Sequence, residues 1–221
     1  MITVIANLKG GSGKSTVVFN LAMWLQSKAQ PVVTYDLDPQ CTLSDVGEVR
    51  REEGYIPPLQ VYLGEGDLRE QLQYHPGEVL VDVGAANMDG MQAALSVADT
   101  VLIPVPPSQP DVWATQKFLK IIEESVAGAV SRPVVSAFVN RADTHRAVRE
   151  SDETEEALGM LPGIEVLPHR LCQRTIYRRS LSEGLGVFEL SPRSKAAQEF
   201  ERFARALYPH YKEGRKRRKS A

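Results

Sequence analysis

Lys9-Gly10-Gly11-Ser12-Gly13-Lys14-Ser15-Thr16 gathers residue types that together hold phosphate. Glycines let the backbone curl so that successive N–H groups converge on one anion, and a helix starting behind them adds the positive end of its dipole. A lysine at the close of such a loop reaches the terminal phosphates, and the hydroxyl after it is a ligand for Mg²⁺. Gly10, Gly11, Ser12, Gly13, Lys14, Ser15 and Thr16 are therefore candidate phosphate contacts, with Ser15 also on the metal. The common form of the loop has glycine five residues before Gly13. Here that position is Leu8, and a second lysine, Lys9, stands at the loop entrance. A Gly/Ser turn between strand and helix needs no ligand by itself, but here strand, loop and Lys–Ser pair come in the order that phosphate binding requires.

Carboxylates follow where such a loop would need them. Tyr35-Asp36-Leu37-Asp38-Pro39-Gln40 ends an apolar run and puts two of them at a strand tip, where open α/β sheets bind ligands. A later apolar run, Glu78-Val79-Leu80-Val81-Asp82-Val83-Gly84, carries a lone one, Asp82. Phosphoryl transfer to water needs a cation on the phosphate oxygens, a group that orients the water, and something to neutralise charge as the bond breaks. Asp82 falls where the magnesium-side carboxylate of phosphate-loop ATPases sits, binding the ion through water. Taken alone, the Asp36/Asp38 segment reads equally as a solvated acidic turn.

The elements that must position these residues are legible as alternating patterns. Apolar runs at Ile2–Ala6, Pro31–Tyr35, Glu78–Val83, Thr100–Val105, Pro133–Val139 and Ile164–Leu167 read as strands, with helical stretches between most of them. This predicts an α/β fold with a mostly parallel twisted sheet and helices on both faces. Ser15–Lys28 has helical spacing and should cap the phosphate loop; Gln109–Val126 carries an apolar stripe; Ser194–Leu207 is amphipathic. Gly47–Pro58 and the polar stretch Arg141–Gly163, with its acidic cluster Asp152–Glu156, read as surface excursions.

A chain of 221 residues with 43% hydrophobic content builds a substantial core, and residues 1–210 are expected to form one domain followed by a basic tail, 211–221. The N-terminus runs straight into a strand and no apolar stretch approaches a membrane span, so a soluble, cytoplasmic protein without a membrane partner is expected. Cys41 and Cys172 lack metal or redox spacing and read as reduced thiols. The net charge is only −2, yet the end reads Arg215-Lys216-Arg217-Arg218-Lys219. A local basic patch of this kind binds polyanions even on a near-neutral chain.

The loop KGGSGKST, with Lys9 in front, is the deviant form of the phosphate-loop motif and resembles the ParA/MinD family of P-loop ATPases. The Asp-x-Asp-Pro-Gln segment resembles that family's second motif. Ala98–Val105 and Pro107–Ala114 resemble the strand and the turn-helix that follow in small plasmid-partition members. The similarity runs through Leu185–Leu190 into the last helix, and with no helix-turn-helix stretch before the first strand the chain is expected to resemble the short type.

By that resemblance the fold is a P-loop ATPase, the cofactors are ATP and Mg²⁺, and catalysis rests on Lys9, Lys14 and Asp38. Lys9 would reach the nucleotide of the other subunit, Asp38 would position the lytic water, and Asp36 would support the Mg²⁺ shell beside Ser15 and Asp82. Asn140 falls where relatives read the adenine edge, and an amide that both donates and accepts suits that role, although a strand-ending Asn in a turn is the plain alternative. Pro168, in Leu167-Pro168-His169-Arg170, would border base and ribose. The family usually has Thr-Pro-Pro after the Asp82 position, whereas this chain has Val83-Gly84-Ala85, which leaves the switch response open.

The resemblance further implies a homodimer closed by ATP that binds DNA without sequence preference, associates with the nucleoid, and hydrolyses slowly until a ParB-like or small DNA-binding adaptor stimulates it. Plasmid DNA is the expected cargo. A carboxysome, a chemoreceptor cluster or a chromosome origin would use the same mechanism. Candidate DNA contacts are Arg174, Arg178, Arg179, Lys195, Arg202 and Arg205, with the tail as auxiliary, against the alternative of solvated helix faces. A MinD-like membrane-surface ATPase is the other reading, but Arg215–Lys219 lacks the large apolar residues that membrane docking needs. A metabolic P-loop enzyme and a binding module that does not hydrolyse ATP are weaker alternatives.

Overall fold

The computed structural model describes residues 1–129, 131–145 and 149–211, so all of the basic tail but Tyr211 lies outside the described residues. Its strands are β1 (Ile2–Asn7), β2 (Val32–Asp36), β3 (Val61–Tyr62), β4 (Glu78–Gly84), β5 (Thr100–Val105), β6 (Val134–Ala142), β7 (Glu165–Val166) and β8 (Leu171–Cys172). Its helices are α1 (Lys14–Ser27), α2 (Thr42–Glu52), α3 (Leu68–Tyr74), α4 (Met88–Leu95), α5 (Gln109–Ser125), α6 (Glu150–Gly159), α7 (Thr175–Ser182), α8 (Val187–Leu190) and α9 (Lys195–Leu207). The sheet runs β3-β2-β4-β1-β5-β6-β7, with β8 also on β6, and its ladders are parallel.

The phosphate-loop strand sits mid-sheet because it can be buried on both faces. Val4 and Ala6 of β1 join one apolar cluster with Val81, Met91, Leu95, Phe118 and Ile122. Ile5 points the other way, into a second cluster with Phe19, Trp24, Leu80, Phe138, Phe200 and Phe203. Successive side chains of a strand face opposite sides, so an unbroken apolar run demands cover on both. Helix α9 supplies much of that cover, with Phe203 only 4.4 Å from Phe138 between ring centroids.

Two elements differ from the sequence expectation. Gly47–Glu52 is helical, as part of α2, because Leu43, Val46 and Arg50 share one buried face; the stripe was masked by the arginine. That Arg50 is fully buried and is paired by a bidentate contact to Glu189 and by bonds to the Pro57 and Gly184 carbonyls. The acidic cluster Asp152–Glu156 lies in helix α6, with acids in its first turn near the positive end of the dipole, while Ser151, Thr154 and Leu158 form the buried face. The short strands β3 and β8 carry too few residues for periodicity to reveal them.

Candidate functional site

At the C-terminal end of β1, Asn7 fixes the entry to the loop. Its buried amide donates to the Pro104 carbonyl of β5 at 2.8 Å, and its Oδ1 accepts the Lys9 N–H at 2.9 Å. Gly11 and Gly13 then take left-handed φ values of 75° and 90°, which a side chain would strain. Gly13 is also the N-cap of α1 and offers no capping side chain, so the first-turn N–H groups are left to a ligand. A Cβ on Gly10 or Gly11 would meet open space, which leaves the cradle accessible to an anion.

Three carboxylates converge on this loop. The β2–β4 register sets Asp36 directly beside Asp82, and the Leu37 N–H donates to the Asp82 carbonyl at 2.9 Å. Asp36 accepts from the backbone N–H and the hydroxyl of Ser44, both at 2.8 Å, while its other oxygen is buried without a partner. Asp38 Oδ2 lies 3.9 Å from Lys14 Nζ, and Asp38 Oδ1 accepts the Gln40 N–H at 3.0 Å. Gly84 is what lets them approach: a Cβ there would stand 3.0 Å from Asp38 Oδ2 and 3.2 Å from Lys14 Nζ.

Asp82 is the most exacting group in the site. Burial pushes its carboxyl up to about 7, reinforced by Asp36 and Asp38 and opposed by the nearby Ser15 hydroxyl and Lys14 ammonium. Neither of those two closes a hydrogen bond onto it, and both of its oxygens are buried without a partner. A buried carboxylate of this kind demands a cation or a proton. The unpartnered oxygens of Asp36 and Asp82, with Ser15 at the loop, are hard oxygen donors of the type Mg²⁺ takes, and Mg²⁺ bound through one or two carboxylates beside phosphates fits them.

Lys9 does not turn into its own loop. Its ammonium donates to Asp111 Oδ2 at 3.2 Å, and that carboxylate also accepts from the Ser108 hydroxyl at the start of α5. Asn140 is buried and its amide donates to the Ser12 carbonyl at 2.6 Å, which pins the end of β6 to the phosphate loop. Beyond Gly13 a cavity of about 340 Å³ opens between Thr16 and Val17 of α1, Asn140 and Arg141, and the segment Leu171–Thr175 with Tyr177 and Arg178. Pro168 does not reach it. That residue borders a separate cleft with Glu155, His169, Arg170, Glu199 and Arg202.

The cationic residues of the C-terminal region are not one free surface. Arg174 makes a bidentate contact with Glu199, Arg179 pairs with Glu183 at 2.8 Å and Arg205 with Glu201 at 2.7 Å. Among the described residues Arg178, Lys195 and Arg202 are exposed and make no ion pair. No described helix is long and apolar enough to cross a membrane. Sequence reasoning did not single out Asn7, Ser44 or Asn87. Asn7 closes β1, Ser44 lies in the first turn of α2 and Asn87 caps α4, and only the three-dimensional pairing shows which loop each holds.

Known proteins resemble this arrangement. Residues 3–187 match the family model described as the CobQ/CobB/MinD/ParA nucleotide binding domain. The maintenance of carboxysome distribution protein A of Halothiobacillus neapolitanus is 31% identical over 202 residues, covering 87% of this chain and 89% of that protein. Protein ParA of Rhizobium radiobacter is 26% identical over 221 residues, covering 94% and 96%. In fold, a putative plasmid partition protein from Borrelia burgdorferi bound to AMPPNP superposes with a TM-score of 0.71 at 19% identity, covering 94% of this chain and 98% of that one. With its phosphate loop in the middle of a parallel sheet and a family match over most of its length, this chain belongs to the CobQ/CobB/MinD/ParA nucleotide-binding family.

Proposed function

We propose that this chain is a Mg²⁺-dependent ATPase that closes into a nucleotide-sandwich homodimer, binds DNA without sequence preference in that state, and partitions plasmid DNA by partner-stimulated hydrolysis. The observation that carries the reading is the pairing of two lysines with two destinations. Lys14 is buried beside Asp38, whereas Lys9 is turned out of its own loop onto Asp111 at 3.2 Å. A cation at the mouth that leaves its own cradle is available to a neighbouring subunit's nucleotide.

Bound Mg²⁺ would neutralise charge on the β- and γ-phosphates. The chain does the rest. Ser15, Asp36 and Asp82 hold the ion, the loop N–H groups and Lys14 fix the phosphates, and Asp38 orients a water at the mouth. Gly84 leaves the room in which Lys14 and Asp38 meet the terminal phosphate. The partner's lysine completes charge neutralisation, which makes turnover slow until the dimer is fully assembled.

Of the six candidate DNA contacts, Arg178, Lys195 and Arg202 make no ion pair among the described residues, and Arg174, Arg179 and Arg205 would join by giving up Glu199, Glu183 and Glu201. Three phosphate contacts per protomer give a dimer slope of roughly −5 in log affinity against log salt. Measuring ATP turnover and nonspecific DNA binding together tests the proposal. Wild type should turn over faster with DNA and adaptor, and Asp38→Ala should lose on the order of 10²-fold in rate while still binding ATP. A rate indifferent to Asp38→Ala, or DNA binding indifferent to nucleotide, refutes it.

The similarity to the Halothiobacillus protein supports a second cargo reading, in which the same cycle spaces carboxysomes. Stimulation by a centromere-bound adaptor supports the plasmid reading, and stimulation by a microcompartment adaptor supports the other.

A further inference from the structure

Asp36 closes β2 with its two carboxylate oxygens held unequally. Oδ2 accepts two hydrogen bonds of 2.8 Å, both from Ser44, one from the backbone N–H and one from the hydroxyl. Oδ1 is buried and accepts none. A carboxylate at a strand tip can turn about its side-chain torsions, so that either oxygen faces either way. Two donors from one residue on one oxygen remove that freedom. They fix which oxygen is turned to α2 and which is left for another partner.

The contact arises from a helix start that has no cap of its own. Cys41, the N-cap of α2, has a left-handed φ of 51°, and its side chain caps nothing. First-turn N–H groups lack acceptors within their own helix, and an anionic oxygen is favoured there by the helix dipole. The Ser44 N–H, in that turn, takes its acceptor from β2 in the Asp36 carboxylate. Capping accounts for the backbone bond but does not require the hydroxyl, which adds a second donor to an oxygen already held. Asp36 is also the neighbour of Asp82 in the β2–β4 register, and the oxygens of that pair without hydrogen-bond partners are Asp36 Oδ1 and both of Asp82.

We propose that Ser44 is a positioning residue for the metal: by holding Asp36 Oδ2 it leaves Oδ1 as the oxygen that serves Mg²⁺ together with Asp82. This rests on the reading that Asp36 and Asp82 support the ion. Ser44 acts through Asp36 and not on the phosphates. Groups that orient the residues around a metal commonly set its affinity over roughly 10- to 100-fold.

The test is the gain in ADP affinity on adding Mg²⁺, read by titration calorimetry with Mg²⁺ or with EDTA, because this ratio cancels changes in the phosphate loop and needs no turnover. Ser44→Ala keeps the backbone bond and loses the hydroxyl. It should reduce the Mg²⁺ gain roughly 10-fold and leave metal-free ADP affinity within about twofold. Ser44→Cys, similar in size but a weak donor, should behave like Ser44→Ala, and Ser44→Thr, which restores the hydroxyl, should return to within about threefold of wild type. A wild-type Mg²⁺ gain in Ser44→Ala or Ser44→Cys overturns the proposal whatever the melting temperature, and leaves Ser44 as a cap of α2 alone. A Ser44→Thr protein as weak as Ser44→Ala overturns it too. Asp36→Asn is the control: loss of the gain supports the metal reading. A wild-type gain in Asp36→Asn removes that reading and this one together, whereas a gain retained only in the Ser44 variants leaves Asp36 on the metal.

Discussion

Asp82 is the residue on which the electrostatics of the site turn. The strand pattern identified it from its position alone, a single carboxylate in an apolar run. What the pattern did not convey is that both its oxygens lack partners and that burial raises its carboxyl to about 7. Asp82→Asn removes an uncompensated buried charge, so the ligand-free protein should gain ~1 kcal/mol and melt roughly 2–4 °C higher at pH 8, read by calorimetry. The same variant should lose the further melting increase that wild type gains from Mg·ATP. The placement of Lys14 and Ser15 at the phosphate loop was legible because the spacing of the loop is fixed by covalent adjacency. The environment of Lys9 was not, since its contact with Asp111 joins segments distant in sequence.

At the level of elements, the alternation of apolar runs and helical stripes predicted the five longer strands, the two-residue β7 and the three longest helices to within a residue or two at most ends. Strand β3 and helix α2 were lost for opposite reasons, one being too short and the other having its buried face closed by Arg50. The link between the two carboxylate loops is also tertiary. Asn87 caps α4 by accepting the Gly90 N–H at 2.9 Å, and its amide donates to the Leu37 carbonyl at 3.0 Å, between Asp36 and Asp38. Gly90 accommodates it, since a Cβ there would come within 2.6 Å of the Asn87 amide. In a chain with Val83-Gly84-Ala85 after Asp82, this side chain ties the segment behind β4 to the Asp38 loop. Asn87→Ala should cost about 1–2 kcal/mol in urea unfolding, from the lost cap and cross-link. It should also slow turnover more than it weakens ATP binding.

The whole molecule places its phosphate loop, Asp36, Asp38, Asp82 and Lys9 at one end of a parallel sheet, the end where open α/β folds bind ligands. The fold class and family were readable from motif order because the strand, loop, helix and second-strand carboxylates must occur in that sequence to meet in space. The state of the candidate DNA contacts was not, because Glu199, Glu183 and Glu201 pair with three of the five candidate arginines through contacts that a charge count cannot reveal. The central claim is that Lys9 makes each subunit half of a shared site, and sedimentation velocity with a nonhydrolysable ATP analogue, ADP or no nucleotide addresses it most directly. Wild type should sediment as a dimer only with the ATP analogue, and Lys9→Ala should bind that analogue yet remain a monomer. A wild-type monomer saturated with the analogue, or a Lys9→Ala variant that dimerises as well as wild type, would contradict it.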